Sequence, residues 1–171
     1  VGLVCRPFNS DRISTIRRQF KRADRPLVFL SVGGVLQLET IGLCSDYDYL
    51  YTRGIEPAAG IVAHPVPAEA ADTQNYLAAC DAVITKCGWS TVAEALLANK
   101  PLFLVRSAHG WVEEVSILQR LRQWRAATEI DASELPFMSS HPFFNPPVQF
   151  ENNVRYVALQ ILTLISKRVG K

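Results

Sequence analysis

CDAVITKCGWSTVAEALLANKPLFLV, from Cys80 to Val105, is the stretch whose reading decides the fold. Ala82 to Thr85 is a short apolar run with β-branched residues, and Pro101 to Val105 is a second one. Between them, Thr91 to Ala98 is built from good helix formers with apolar residues at helical spacing. Strand, helix and strand within so few residues predict a βαβ crossover, which joins parallel strands. The turn Lys86-Cys87-Gly88-Trp89-Ser90 then falls between the first strand and the helix start.

The same alternation continues on both sides. Leu27 to Val32 reads as a buried strand ending in Gly33-Gly34, and Gly60 to Ala63 as a short strand stopped by His64-Pro65. Val35 to Tyr51 is mixed and permits a loose helix followed by an edge strand. Asp72 to Ala79 predicts a helix, and Trp111 to Trp124 another with Val115, Leu118 and Leu121 on one face. Ala127 to Ile130 is a last strand, followed by the capping-type run Asp131 to Glu134. Met138 to Pro147 reads as an ordered loop, and residues 151–168 as a final amphipathic helix with a wide apolar face. The expected fold is therefore α/β, a doubly wound parallel sheet of Rossmann-like type. Residues 1–25 would be a linker and basic amphipathic helix, and residues 26–171 a single domain.

Composition agrees. A chain of 171 residues, 49% hydrophobic and 20% charged, suits one globular domain. It begins at Val1 without an initiator Met and reads as a piece of something longer. No apolar run approaches the roughly 18 to 20 residues of a membrane span. Cys5, Cys44, Cys80 and Cys87 form no CxxC or Cys/His cluster, so no metal site or disulfide framework is expected, and a reducing cytoplasm is the default. Arg6, Arg12, Arg17, Arg18, Lys21, Arg22 and Arg25 crowd the start of the chain. Such a run can meet anionic lipid at a membrane periphery, phosphate or nucleic acid. The preferred reading is a solvated helix face, with the arginines pointing away from an Ile13, Ile16, Phe20 stripe. No aromatic residues interleave with the basic ones, so nucleic-acid binding is not expected.

Ligands of doubly wound sheets bind beyond the carboxyl ends of the strands, at the switch point. Two turns suit that position: Ser31 to Gly34 and Lys86 to Thr91. A helix start leaves backbone N–H groups unpaired and carries a partial positive charge. Gly88 permits close approach, Ser90 and Thr91 add hydroxyls, and Lys86 adds a cation, a set that suits a phosphate or diphosphate. A structural alternative stands beside it, because Thr91-Val92-Ala93-Glu94 spells a capping box that would satisfy the helix start by itself. Neither GxxxxGK[ST] nor a GxGxxG opening the first helix is present.

In order and spacing, Asp81, Lys86, Gly88, Thr91, Glu94 and Pro101 resemble the donor-binding half of GT-B glycosyltransferases. The pattern is most similar to the carboxyl-terminal type of glycosyltransferase family 28, the group of the peptidoglycan lipid-linked N-acetylglucosamine transferase. It also resembles the glycosyltransferase-like portion of plant arabinose kinases. The resemblance spans roughly Leu27 to Ile130 and implies one half of a GT-B fold.

The resemblance implies roles position by position. Gly88, Trp89, Ser90 and Thr91 would meet a donor diphosphate, with Lys86 at the rim and Gly33 and Gly34 approaching from across the cleft. Glu94 would accept hydrogen bonds from ribose hydroxyls, as an ionised carboxylate can from two at once. Trp89 would stack near base or ribose, or cover the core. Arg106 would neutralise phosphate, or pair with a carboxylate, and His109, in a loop after a strand end, would be a surface residue or touch phosphate or sugar. Glu113 and Glu114 stand where the family has a glutamine pair at the donor sugar, which leaves the sugar open. No catalytic residue and no cofactor are expected in this chain, the general base being assigned to a missing amino-terminal acceptor domain or separate subunit. Asp46-Tyr47-Asp48 has the letters of a metal motif but lies in the mixed segment. The function implied is a glycosyltransferase donor domain for a nucleotide-sugar, expected to be a UDP-sugar. The alternatives are a non-catalytic nucleotide-sugar-binding subunit, or an epimerase or hydrolase of the same fold.

Overall fold

Asn9 opens the first element, its side chain accepting the Arg12 N–H at 2.9 Å as an N-cap. The computed structural model describes residues 2–32, 41–106 and 112–169, the last six by backbone alone. Its elements run α1 (Ser10–Phe20), β1 (Leu27–Ser31), β2 (Asp48–Tyr51), β3 (Ala63–Pro65), α2 (Thr73–Ala79), β4 (Ala82–Lys86), α3 (Trp89–Leu97), β5 (Leu102–Val105), α4 (Val112–Trp124), β6 (Thr128–Ile130) and α5 (Val154–Val169). A 3-10 helix, Ala132–Ser140, follows β6. Gly33, Gly34 and His109 lie outside the described residues, as does most of the loose helix expected from Val35.

The six strands are parallel in the order β3-β2-β1-β4-β5-β6. Alternate side chains of β1 enter different cores. Leu27 and Phe29 pack with Ile16 of α1, Leu77 of α2, Val92 and Leu96 of α3 and Ile117 and Leu121 of α4. Val28 and Leu30 pack with Ile41, Leu43 and Tyr47, and with Leu135 and Met138 of the 3-10 helix. Connections from β1 to β3 thus cover one face and those from β3 to β6 the other, which makes the sheet doubly wound. Its switch point is between β1 and β4, where Ser31 pairs with Thr85. The Thr85 hydroxyl donates to the Ser31 carbonyl at 2.9 Å and so locks the two strand ends together.

Several boundaries differ from the expectations. The third strand begins at Ala63 and runs through His64 to Pro65, because it is an exposed edge strand whose outer side needs no N–H donor. On α4 the buried residues are Glu114, Ile117 and Leu121, while Val115 is exposed. The apolar face of α5 is uncovered: Leu159 and Leu162 are 62% and 61% exposed. Helices α3 and α4 each end on a left-handed residue, Asn99 (φ 51°) and Arg125 (φ 50°). The next N–H in each case returns to the last turn, Lys100 to the Ala95 carbonyl and Ala126 to that of Leu121.

Most arginines of the first segment pair with carboxylates of the body instead of forming a solvated face, while Arg18 stays exposed. Arg12 pairs with Asp72 at 3.0 Å and Arg17 with Asp81 at 2.7 Å, while Arg22 and Arg25 converge on buried Asp48. These contacts fasten α1 and the segment after it to the body. Asp48 opens β2, at the opposite end of the sheet from the switch point, and its occupation by two guanidiniums removes the apparent metal motif. Across the capping run, Asp131 and Glu134 do form a reciprocal capping box.

Candidate functional site

The β4–α3 turn settles the competition between capping and an open helix start. Helix α3 begins at Trp89, with Gly88 as N-cap, and among the described residues no side chain caps it. Thr91 therefore lies at the third helical position and Glu94 at the sixth, too far along to form the capping box. The first intrahelical bond comes from Val92 N–H to the Gly88 carbonyl at 3.1 Å. The N–H groups of Trp89, Ser90 and Thr91 precede it and have no carbonyl within the helix to reach. Gly88 itself has φ −127° and ψ 130°, a conformation open to any residue. A Cβ built there meets nothing within 4 Å. Neither backbone strain nor packing calls for a glycine, so its effect is to keep space open in front of the helix start.

Lys86 ends β4 beside this space, and its ammonium makes no ion pair or hydrogen bond among the described residues. Cys87 faces the other way: its thiol donates to the Glu114 carbonyl at 3.6 Å, which ties the first turn of α4 to the β4–α3 turn. Burial pushes that thiol up to about 12, so it is an inert packing group. Glu113 is exposed in the first turn of α4, and Glu114 is buried. The two carboxylates that stand together in sequence thus divide between solvent and interior.

Glu94 is 13% exposed and faces Arg6, whose guanidinium lies 3.5 Å from its Oε1. Burial raises the Glu94 carboxyl above its usual range, and Arg6 opposes that shift. The same guanidinium donates to the Thr73 hydroxyl at 2.8 Å and to the Ala71 carbonyl. Arg6 therefore bridges α3 to the loop that precedes α2. Sequence reasoning placed Arg6 among surface charges and missed it, because only the fold brings residues 6 and 94 together. No local signal in the sequence marks it.

The remaining candidates separate. Arg106 donates to Asp131 at 2.8 Å, the carboxylate-pairing alternative of its two readings. Trp89 packs against the helical core, the core-covering alternative of its two. Asp81 works at the other end of the sheet, accepting the Leu27 N–H at 2.9 Å. Burial opposes its charge, but that bond and Arg17 hold its carboxyl below the usual range. Among the described residues no group of three or more His, Cys, Asp or Glu side chains is placed to hold a metal.

No protein-family model and no curated protein matches the chain. Solved structures do. The glycosyltransferase SnogD from Streptomyces nogalater matches with a TM-score of 0.50 at 19% identity, over 79% of this chain and 37% of its own. Arabidopsis thaliana UGT89C1, solved with UDP-L-rhamnose, matches with a TM-score of 0.51 at 13% identity, over 77% and 37%. The glycosyltransferase VinC, solved with DTDP, matches with a TM-score of 0.50 at 18% identity, over 77% and 33%. The chain therefore has the Rossmann-like α/β fold found within these glycosyltransferases, and it spans about a third of their length.

Proposed function

We propose that this chain is the donor-binding half of a GT-B glycosyltransferase and that it holds a nucleotide-sugar, a UDP-sugar by preference, at the switch point of its sheet. The observation that carries the reading is the start of α3, which no side chain caps among the described residues, with open space at Gly88 and the ammonium of Lys86 unpaired among the same residues. The likeness of fold to glycosyltransferases solved with DTDP and UDP-L-rhamnose supports it.

In this reading the N–H groups of Trp89, Ser90 and Thr91 and the ammonium of Lys86 bind the diphosphate. They also stabilise the charge that grows on it as the sugar bond breaks. Glu94 accepts from the ribose hydroxyls, with Arg6 opposing the burial that disfavours its charged form. Glu113, exposed at the start of α4, faces the donor sugar. The acceptor and the general base come from a second domain or subunit, so the isolated chain binds without turning over. Four free thiols suit a cytoplasmic setting.

Titration of the chain with UDP, ADP and GDP by calorimetry tests the reading, alongside Glu94→Gln and Gly88→Val. Selective binding of one nucleotide that both substitutions weaken is the expected outcome. Absence of binding by all three would sink it.

A further inference from the structure

A second concavity, a groove of 340 Å³, opens beside the amino-terminal strand segment and the carboxyl end of α4. Its apolar lining is Leu3, Val4, Trp89 and Trp124, with the small side chain of Ala93 leaving room between them. The walls are held from behind. Asn152 bonds both the N–H and the carbonyl of Cys5, at 3.3 and 3.0 Å, and the Asn153 N–H donates to the Leu3 carbonyl at 2.9 Å. Trp124 is braced edge-on by Phe150 at 5.2 Å, and Trp89 is fixed as the first residue of α3.

Among the described residues, two polar side chains line the groove, Ser90 and Arg120. Arg120 is exposed and makes no ion pair or hydrogen bond among the described residues. This lining selects among ligand classes. A sugar carries hydroxyls on every side and needs more partners than two, or its polar groups are desolvated without compensation. A neutral hydrocarbon would leave the guanidinium unused at the mouth. Indole rings favour stacked or edge-on contact with another flat ring, and a guanidinium pairs a carboxylate with two parallel bonds. The volume lies within the range of small-molecule sites, which are mostly apolar with few polar groups.

We propose that this groove binds a flat aromatic ring system bearing one carboxylate, with the ring against Trp89 and Trp124 and the carboxylate on Arg120. The groove shares Trp89 and Ser90 with the nucleotide reading, but its ring and carboxylate contacts rest on side chains that reading does not use for phosphate, so it stands whether or not that reading holds.

The test titrates naphthoate into the 171-residue chain and follows the indole N–H resonances of Trp89 and Trp124 by NMR, assigned through Trp→Phe substitution. Naphthalenemethanol serves as the neutral analogue and N-acetylglucosamine as the sugar. Naphthoate is expected to shift both indoles saturably. Arg120→Gln, a surface change, should weaken it about tenfold, as loss of one charge-assisted contact does, with part of the affinity kept by Arg120→Lys. The alcohol should bind more weakly and ignore the substitution. Three results would each overturn the proposal: no shift of either indole, equal binding of acid and alcohol with no effect of Arg120→Gln, or a response to the sugar alone.

Discussion

Gly88 and Thr91 carry the sharpest consequences of single-residue geometry. With Gly88 as N-cap, Thr91→Ala removes no cap and should cost less than about 0.5 kcal/mol, against about 1 kcal/mol for loss of a true N-cap. Denaturant unfolding of the two proteins distinguishes these, and a loss near the larger figure would restore the capping box. Gly88→Ala places a methyl in open space. It should cost under about 1 kcal/mol of stability, the N-cap preference of glycine over alanine, while weakening the proposed nucleotide binding well beyond that. Glu94 adds a pH dependence. Its folded carboxyl titrates above its unfolded one, so the folded state holds the extra proton between the two values. The stabilisation is fully present below the unfolded value, about pH 4, and is lost as pH rises through the folded value. Glu94→Gln should flatten that fall, which paired unfolding curves at acid and neutral pH would show.

At the scale of elements, the ties between α1 and the sheet decide how the first segment behaves. Asp48 is 1% exposed and held by Arg22 and Arg25, and Arg22 with burial working against it keeps the carboxyl below the usual range. The sign is opposite to that of Glu94: the contribution is present above the unfolded value and lost as pH falls through the folded one. Asp48→Asn should cost about 2 kcal/mol at neutral pH. That is less than the roughly 3–5 kcal/mol of a fully buried pair, because Arg22 is half exposed. The difference should shrink on acidification, and an equal cost at both pH values would contradict the pairing. These ties also show where sequence ceases to inform. The runs Leu27 to Val32 and Ala82 to Thr85 were legible as strands, within a residue of the observed ends, because a strand buried on both faces is almost continuously apolar. The partners of Arg6, Arg12 and Arg17 lie 60 or more residues away, at Glu94, Asp72 and Asp81, beyond any local periodicity, so the basic run read as solvated. The β4–α3 turn was visible as a candidate anion site, but the helix start was misplaced by two residues because a Thr-x-x-Glu spacing imitates a cap.

For the whole molecule, the balance of covered and uncovered surface sets the last expectation. Helices α1 to α4 each give residues to the core, and the 3-10 helix closes the opposite face with Leu135 and Met138. Helix α5 departs from this arrangement, since Tyr156, Leu159, Ile161 and Leu162 are all at least half exposed. An amphipathic helix normally gains most of its stability by burying one face, so α5 contributes little to the unfolding free energy of the chain. Its uncovered side chains form the kind of surface that drives association. Leu159→Ser together with Leu162→Ser should therefore leave the thermal midpoint nearly unchanged. The same pair should reduce any concentration-dependent association seen by sedimentation. A marked fall in midpoint would mean that these leucines are buried in solution, and that α5 packs onto the body of the molecule after all.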